Sequence, residues 1–188
     1  MLNKKHHDVS ALLLASNMPQ QIETNNAHLP EHHEKHVIRH YYDMLVEARF
    51  ENVIVVIEPD SESIVTALPA IASIVVSERK GKGQTIGVPC GMDAVPGKTR
   101  GVCLVPAATP FMNALFLQRL KAAFVATNYT ASVATSAKGI WHYPAIFPRA
   151  LFTMLCGLRD DQNPLEMLVD TTNPTLSIDF ANDDNADF

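Results

Sequence analysis

Glycine is missing from the first 80 of the 188 residues; all eight (Gly81, Gly83, Gly87, Gly91, Gly97, Gly101, Gly139 and Gly157) come later. That argues against a glycine-rich phosphate loop after the first strand, where bare backbone N–H groups would approach an anion closely. Cysteine is sparse and odd in number, at Cys90, Cys103 and Cys156, with no pairing spacing. This points to reduced thiols, mostly buried as small hydrophobes, and to a cytoplasmic setting. Positive charge is short, with 15 Lys+Arg against 20 Asp+Glu and a net charge of −5. A nucleic-acid partner is therefore not expected, because binding there needs a basic surface to displace counterions. Long apolar runs are also lacking. The longest, Ala11-Leu12-Leu13-Leu14-Ala15, is strand-sized and far below the roughly 20 residues that span a bilayer. No small-residue cleavage site follows it, so Lys4-Lys5 and this run do not read as a signal peptide, and no membrane association is expected.

What is present is a globular balance, 47% hydrophobic and 19% charged, which suits one domain over residues 1–188 rather than a disordered chain. Residues 180–188, within an aspartate-rich end, are expected to be mobile. Short apolar runs alternate with amphipathic segments. Strands are predicted at Val9–Ala15, Asn52–Ile57, Ala72–Ser77, Val102–Pro106, Ala131–Thr135 and Leu176–Ile178. Helices are predicted at Glu31–Arg49, with Val37, Tyr41, Met44, Leu45 and Ala48 on its apolar face, and at Ser61–Leu68. Another runs from Gln84 to Val95, kinked or delayed by Pro89. Further helices follow Asn113 as cap, Phe147-Pro148 and Pro164. Strand–helix alternation with uniformly apolar strands predicts an α/β fold: a three-layer, Rossmann-like, mainly parallel sheet with helices on both faces. Such folds take ligands beyond the carboxyl ends of the strands, which directs attention to loops 15–30, 77–84 and 106–112 and to the segment around 138–145.

Those loops carry little phosphate or metal chemistry. Between Lys5 and Lys35 there is no Lys, Arg or Gly; Ser16, Asn17 and neighbouring amides can contact a ligand without neutralising phosphate charge. The second loop, with Arg79, Lys80 and Lys82 around Gly81 and Gly83, reads either as an anion receiver or as a solvated basic turn. The third, Ala107-Ala108-Thr109-Pro110, has no carboxylate where a magnesium-dependent transfer would want one. His32, His36 and His40 share a helix face, but His33-Glu34-Lys35-His36 falls one residue short of the zincin spacing, and a solvated face is the simpler reading. Trp141-His142-Tyr143 either lines a pocket or forms a core aromatic patch.

In this order the elements resemble the molybdenum cofactor cytidylyl- and guanylyltransferases, the MobA/MocA-like NTP transferases of nucleotide-diphospho-sugar transferase type, over nearly the whole chain. Gly101 to Met112 with Leu117-Gln118-Arg119-Leu120 is similar to the family's strand, G-D-Q-P turn and helix. Gly83 to Val95 is similar to its G-M-x-x-S-L-x-x-G-L segment, Tyr143 to Phe152 to its H/N-P-V-L-F segment, and Ser177-Ile178-Asp179 to its closing D-I-D or N-I-N. The resemblance implies transfer of CMP or GMP to a molybdopterin, with Mg²⁺ as cofactor. With the basic loop's Lys80 and Lys82 as anion candidates from their own chemistry, it implies nucleotide contacts at Ala15, Ser16, Asn17, Gly83, Thr85 and Gly87, and metal at Asp179.

The family's opening L-A-A-G-x-S-x-R-M-G, however, is occupied here by Leu14 to Glu23, with Asn17, Pro19, Gln21 and Glu23 standing for Gly, Ser, Arg and Gly. Its metal-binding Asp falls on Ala108, its base-contacting Ser on Gly87, and Ser177 replaces the partner of Asp179. Losing such groups together is expected to cost on the order of 10³ or more in rate. Three readings stand at this point. The first is a transferase fold with impaired catalysis that still binds a nucleotide, a pterin-type molecule or a protein partner. The second is an active transferase with relocated ligands, using Asp179 and Asp93 for metal and Lys80 or Lys82 for phosphate. The third is a regulatory or interaction protein.

Overall fold

A computed structural model describes residues 8–15, 33–59, 61–78, 86–107, 109, 112–159, 162–169 and 174–179, with the backbone alone for 33–36, 62 and 63. The strands are β1 (Val9–Leu14), β2 (Asn52–Ile57), β3 (Ser73–Val76), β4 (Gly101–Pro106), β5 (Ser132–Ala137), β6 (Ile140–Pro148) and β7 (Thr175–Asp179). The helices are α1 (His33–Glu47), α2 (Glu62–Ala67), α3 (Val88–Asp93), α4 (Ala114–Ala126) and α5 (Phe152–Cys156), with 3₁₀ turns at Arg149–Leu151 and Pro164–Leu168. The seven strands form one sheet in the order β3-β2-β1-β4-β6-β5-β7. All neighbours pair in parallel except at β6, which runs against β4 and β5. The expected three-layer, mainly parallel α/β architecture is therefore present.

Beyond Ser10 and Asn52 at their amino ends, β1, β2 and β4 are apolar because both of their faces are covered. Ala11, Leu13, Val53, Val55, Cys103 and Val105 pack with Ile38, Leu45, Leu117, Leu120 and Phe124 of α1 and α4. On the other face, Leu12, Leu14, Ile54, Val56, Val102 and Leu104 pack with Val88, Met92, Leu151 and Leu155. Each fully buried Leu or Ile contributes roughly 1.5–3 kcal/mol relative to an exposed one, so neither face tolerates a polar substitution. At Gly91 an added Cβ would lie 2.8 Å from Val56 Cγ2 and 3.0 Å from Leu12 Cδ1, so the missing side chain is what lets α3 lie against the sheet.

Two local readings change, and a third is narrowed. The apolar face of α1 is led by Ile38 and Tyr42, with Val37 and Tyr41 only half-buried at its edge; in its first half the face is turned by one residue from the predicted set. The helix carrying Pro89 is delayed rather than kinked: Pro89 sits in the first turn of α3, where its missing N–H costs nothing. The segment around 138–145 is mostly strand. Lys138 and Gly139 both have positive φ, 52° and 78°, as a two-residue hairpin turn requires, and Ala137 pairs with Ile140 to close it. Pro144 is accommodated because the register shifts between Ala134 and Thr135, and the Thr135 hydroxyl donates to the Pro144 carbonyl at 2.9 Å.

Candidate ligand crevice at the carboxyl ends of the strands

Parallel pairing brings the ends of β1, β2, β3 and β4 to one edge of the sheet, and backbone hydrogen bonds continue beyond the strands. Ala15 N–H donates to Val56 O at 2.8 Å, Ser77 N–H to Ile57 O at 2.8 Å, and Ala107 N–H to Leu14 O at 2.9 Å. The first residues of the loops after β1, β3 and β4 are therefore fixed in position. Of the candidate nucleotide contacts, Ala15 lies here, buried. Gly87 is also buried, preceding α3 with ordinary helical backbone angles, and its carbonyl accepts from Gly91 N–H at 2.9 Å. Close by, Ser77 and Cys90 approach at 3.8 Å between Oγ and Sγ. Ser16, Asn17, Lys80, Lys82, Gly83, Thr85 and Ala108 lie outside the described residues.

The turn after β4 is held from two sides. Thr109 donates twice to Pro106 O, from N–H at 3.1 Å and from Oγ1 at 2.7 Å. The Tyr41 hydroxyl, on α1, donates to the Thr109 carbonyl; burial raises this phenol above its ordinary pKa, so it keeps its proton. Asn113 caps α4 as expected, its side-chain oxygen accepting from Phe116 N–H at 2.8 Å. Sequence reading took Tyr41 for one more apolar position. The only available signal was a hydroxyl on a face otherwise made of hydrocarbon.

The aromatic segment resolves toward the core. Trp141 and Tyr143 are half-buried against the apolar cluster that includes Leu151 and Leu155. The Tyr143 hydroxyl donates to Asn163 Oδ1 at 3.0 Å, and burial raises its pKa strongly. His142 is exposed, as is His40 on α1. The register places Trp141, Ser136 and Asp179 side by side on β6, β5 and β7, with Asp179 at the exposed end of the edge strand.

Divalent metal is poorly served by these donors. No group of three His, Cys, Asp or Glu side chains suited to an ion occurs among the described residues. Asp179 lies beside Ser136 and Trp141, while the residues flanking the turn after β4, Ala107 and Thr109, offer no carboxylate. Among the described residues the donors do not fit a magnesium site.

The sheet order and the helical layers define a nucleotide-diphospho-sugar transferase-like α/β fold. Residues 11–174 match the model of the MobA-like NTP transferase domain, and the chain belongs to that family. Among solved structures it is similar to Rv0371c from Mycobacterium tuberculosis, with a TM-score of 0.73 at 18% identity over 92% of this chain and 88% of that one. A manganese complex of Rv0371c gives 0.71 at 18% identity over the same shares. The 4-diphosphocytidyl-2C-methyl-D-erythritol synthase of Anaerococcus prevotii gives 0.66 at 12% identity, over 91% of this chain and 86% of that one. At these identities the likeness concerns the fold. No curated protein sequence matches the chain significantly. Among the described residues no helix is long and apolar enough to cross a membrane.

Proposed function

We propose that this chain is a MobA-like NTP transferase domain that binds a nucleotide or pterin-type molecule in the crevice but has lost ordinary metal-dependent nucleotidyl transfer. One observation carries the reading: the turn after β4, where the family places a metal-binding Asp, reads Ala107-Ala108-Thr109. A cation-free and glycine-free stretch after β1 supports it. Phosphoryl-type transfer depends on charge neutralisation and positioning, and the chain keeps positioning groups while lacking charged ones at these places. The family reaction, transfer of CMP or GMP to a molybdopterin, gives the class of ligand to try. Calorimetry with CTP and GTP, with and without Mg²⁺, together with a pyrophosphate-release assay, tests the reading. The expected outcome is binding that responds little to Mg²⁺, with no release. Tight Mg²⁺-dependent binding with turnover overturns it.

A second reading rests on Asp179, which stands at the carboxyl end of β7 beside Ser136. An active transferase with relocated ligands would use it for metal, with Lys80 or Lys82 on phosphate. Asp179→Ala then abolishes turnover, while changing stability by no more than about 0.5 kcal/mol because the residue is exposed. Unchanged turnover in this variant removes the idea. A cytoplasmic location and a protein partner are tested separately, by cell fractionation and by sedimentation of the native chain.

A further inference from the structure

The turn after β4 is tied to the rest of the molecule in an uneven way. Two of its N–H groups are satisfied by the backbone: Ala107 donates to Leu14 O on the neighbouring strand, and Thr109 to Pro106 O within the turn. The Thr109 side chain also turns back on Pro106 O. The Thr109 carbonyl, on a residue only 7% exposed, accepts instead from Tyr41 Oη, 68 residues away in sequence on α1. A hydrogen bond of that span does nothing for either local element. It sets one against the other. Tyr41 lies at the edge of the α1 face and packs against the core cluster containing Met112, Ala114 and Leu117, so its ring is already fixed and its hydroxyl reaches the turn from a rigid base.

We propose that Tyr41 is a positioning residue of the crevice: its hydroxyl fixes the backbone at Thr109, and with it the wall at the mouth of β4 against which a nucleotide or pterin-type ligand rests. The inference builds on the ligand-binding part of the proposed function. It adds that the wall is held by a side chain from α1 as well as by the turn's own bonds. Without the hydroxyl, a nearly buried carbonyl loses its donor and the turn shifts to find another.

Tyr41→Phe in the full chain tests this, because it removes one oxygen and leaves the packed ring. Hydrogen exchange of the Thr109 amide is expected to speed up about five- to tenfold, matching the loss of one hydrogen bond, with amides of β2 and β5 unchanged. Unchanged exchange at Thr109, or a rise shared equally by β2 and β5, overturns the proposal. The second readout is calorimetric affinity for whichever of CTP or GTP the unmodified chain binds. It is expected to weaken several-fold, measured well below a melting temperature lowered by only about 2–4 °C, an outcome that a purely structural role would not give. Unchanged affinity overturns the positioning role. If the unmodified chain binds neither nucleotide, the ligand reading of the crevice falls, while the exchange result still decides whether Tyr41 sets the turn.

Discussion

The two ends of the sheet are built differently. At the amino end, polar groups are tied down in several directions. Ser10 Oγ and Thr99 Oγ1 lie 3.0 Å apart, both buried, and Asn52 Nδ2 reaches Ser10 Oγ at 3.4 Å. Arg149 donates to Gly97 O at 2.7 Å and Thr99 O at 2.9 Å. Lys121 closes the end of α1 by donating to Ala48 O at 2.6 Å and Arg49 O at 2.7 Å. Arg100 stacks on the Tyr129 ring at 3.5 Å. At the carboxyl end, the ties among the described residues are mainly to backbone: the strand continuations, Tyr41 and the Thr109 side chain on the turn after β4, and the Asn113 cap, with a long Ser77–Cys90 approach beside them. The contrast extends to charge. Lys98, Arg100, Lys121 and Arg149 serve the end away from the crevice, where they hold carbonyls, an aromatic face and Glu51. Cations that a phosphate site would need are, among these residues, committed to architecture.

The largest effect that sharpens this contrast is expected at Gly101, the first residue of β4. A Cβ there would lie 2.3 and 2.4 Å from two atoms of the buried Phe124 ring, which has no room to retreat. Gly101→Ala is expected to cost about 3 kcal/mol, lowering the melting temperature by roughly 6–12 °C. If crevice affinity for CTP or GTP survives below that transition, the two ends are separable.

Alkaline pH gives the next effect. Burial holds the Cys103 thiol above its ordinary 9.0 and the Tyr143 phenol above its ordinary 10.0. Above about pH 9 the unfolded chain releases these protons and the folded chain keeps them, so unfolding gains and stability falls as pH rises. Each group adds about 1.4 kcal/mol per pH unit once its ordinary value is passed. Lys121, lowered chiefly by burial from 10.5, works in the opposite sense near that value. Urea midpoints are therefore expected to decline above pH 9, and less steeply in Cys103→Ala. A flat profile up to pH 10.5 contradicts the burial of these groups.

The smallest effect lies at the crevice end. Asn113→Ala removes the cap of α4 and is expected to cost about 1 kcal/mol, or roughly 2–4 °C. A loss as large as that at Gly101 would show that the crevice end is as rigid as the other.

Much of the fold was legible because strands covered on both faces carry a signal that no surface element mimics: Asn52–Ile57 begins and ends where the β-branched run does. Asn113 announced its helix for a local chemical reason, the acceptor it offers to the first turn. β6 was not legible as a strand. Pro144 stands in its middle, and the cue for its turn is one lysine and one glycine, weaker than an Asn-Gly pair. The α1 face was misjudged at Val37 because Ile38, beside it, is equally apolar, and only the neighbouring α4 and sheet decide between them. At the crevice, the absence of charge could be read directly from Ala107-Ala108-Thr109 and from the residues after β1. The tie from Tyr41 could not, since its partner is a backbone carbonyl that has no letter in the sequence.

The β5–β6 hairpin has a practical consequence. Lys138 and Gly139 form an exposed tip, and an added Cβ at Gly139 would meet nothing within 4 Å. Because β6 turns back there, the tip stands at the same end of the sheet as the crevice. A short peptide or fluorophore spliced between these two residues would extend into solvent without entering the core, giving an optical reporter at the carboxyl end of the central strands.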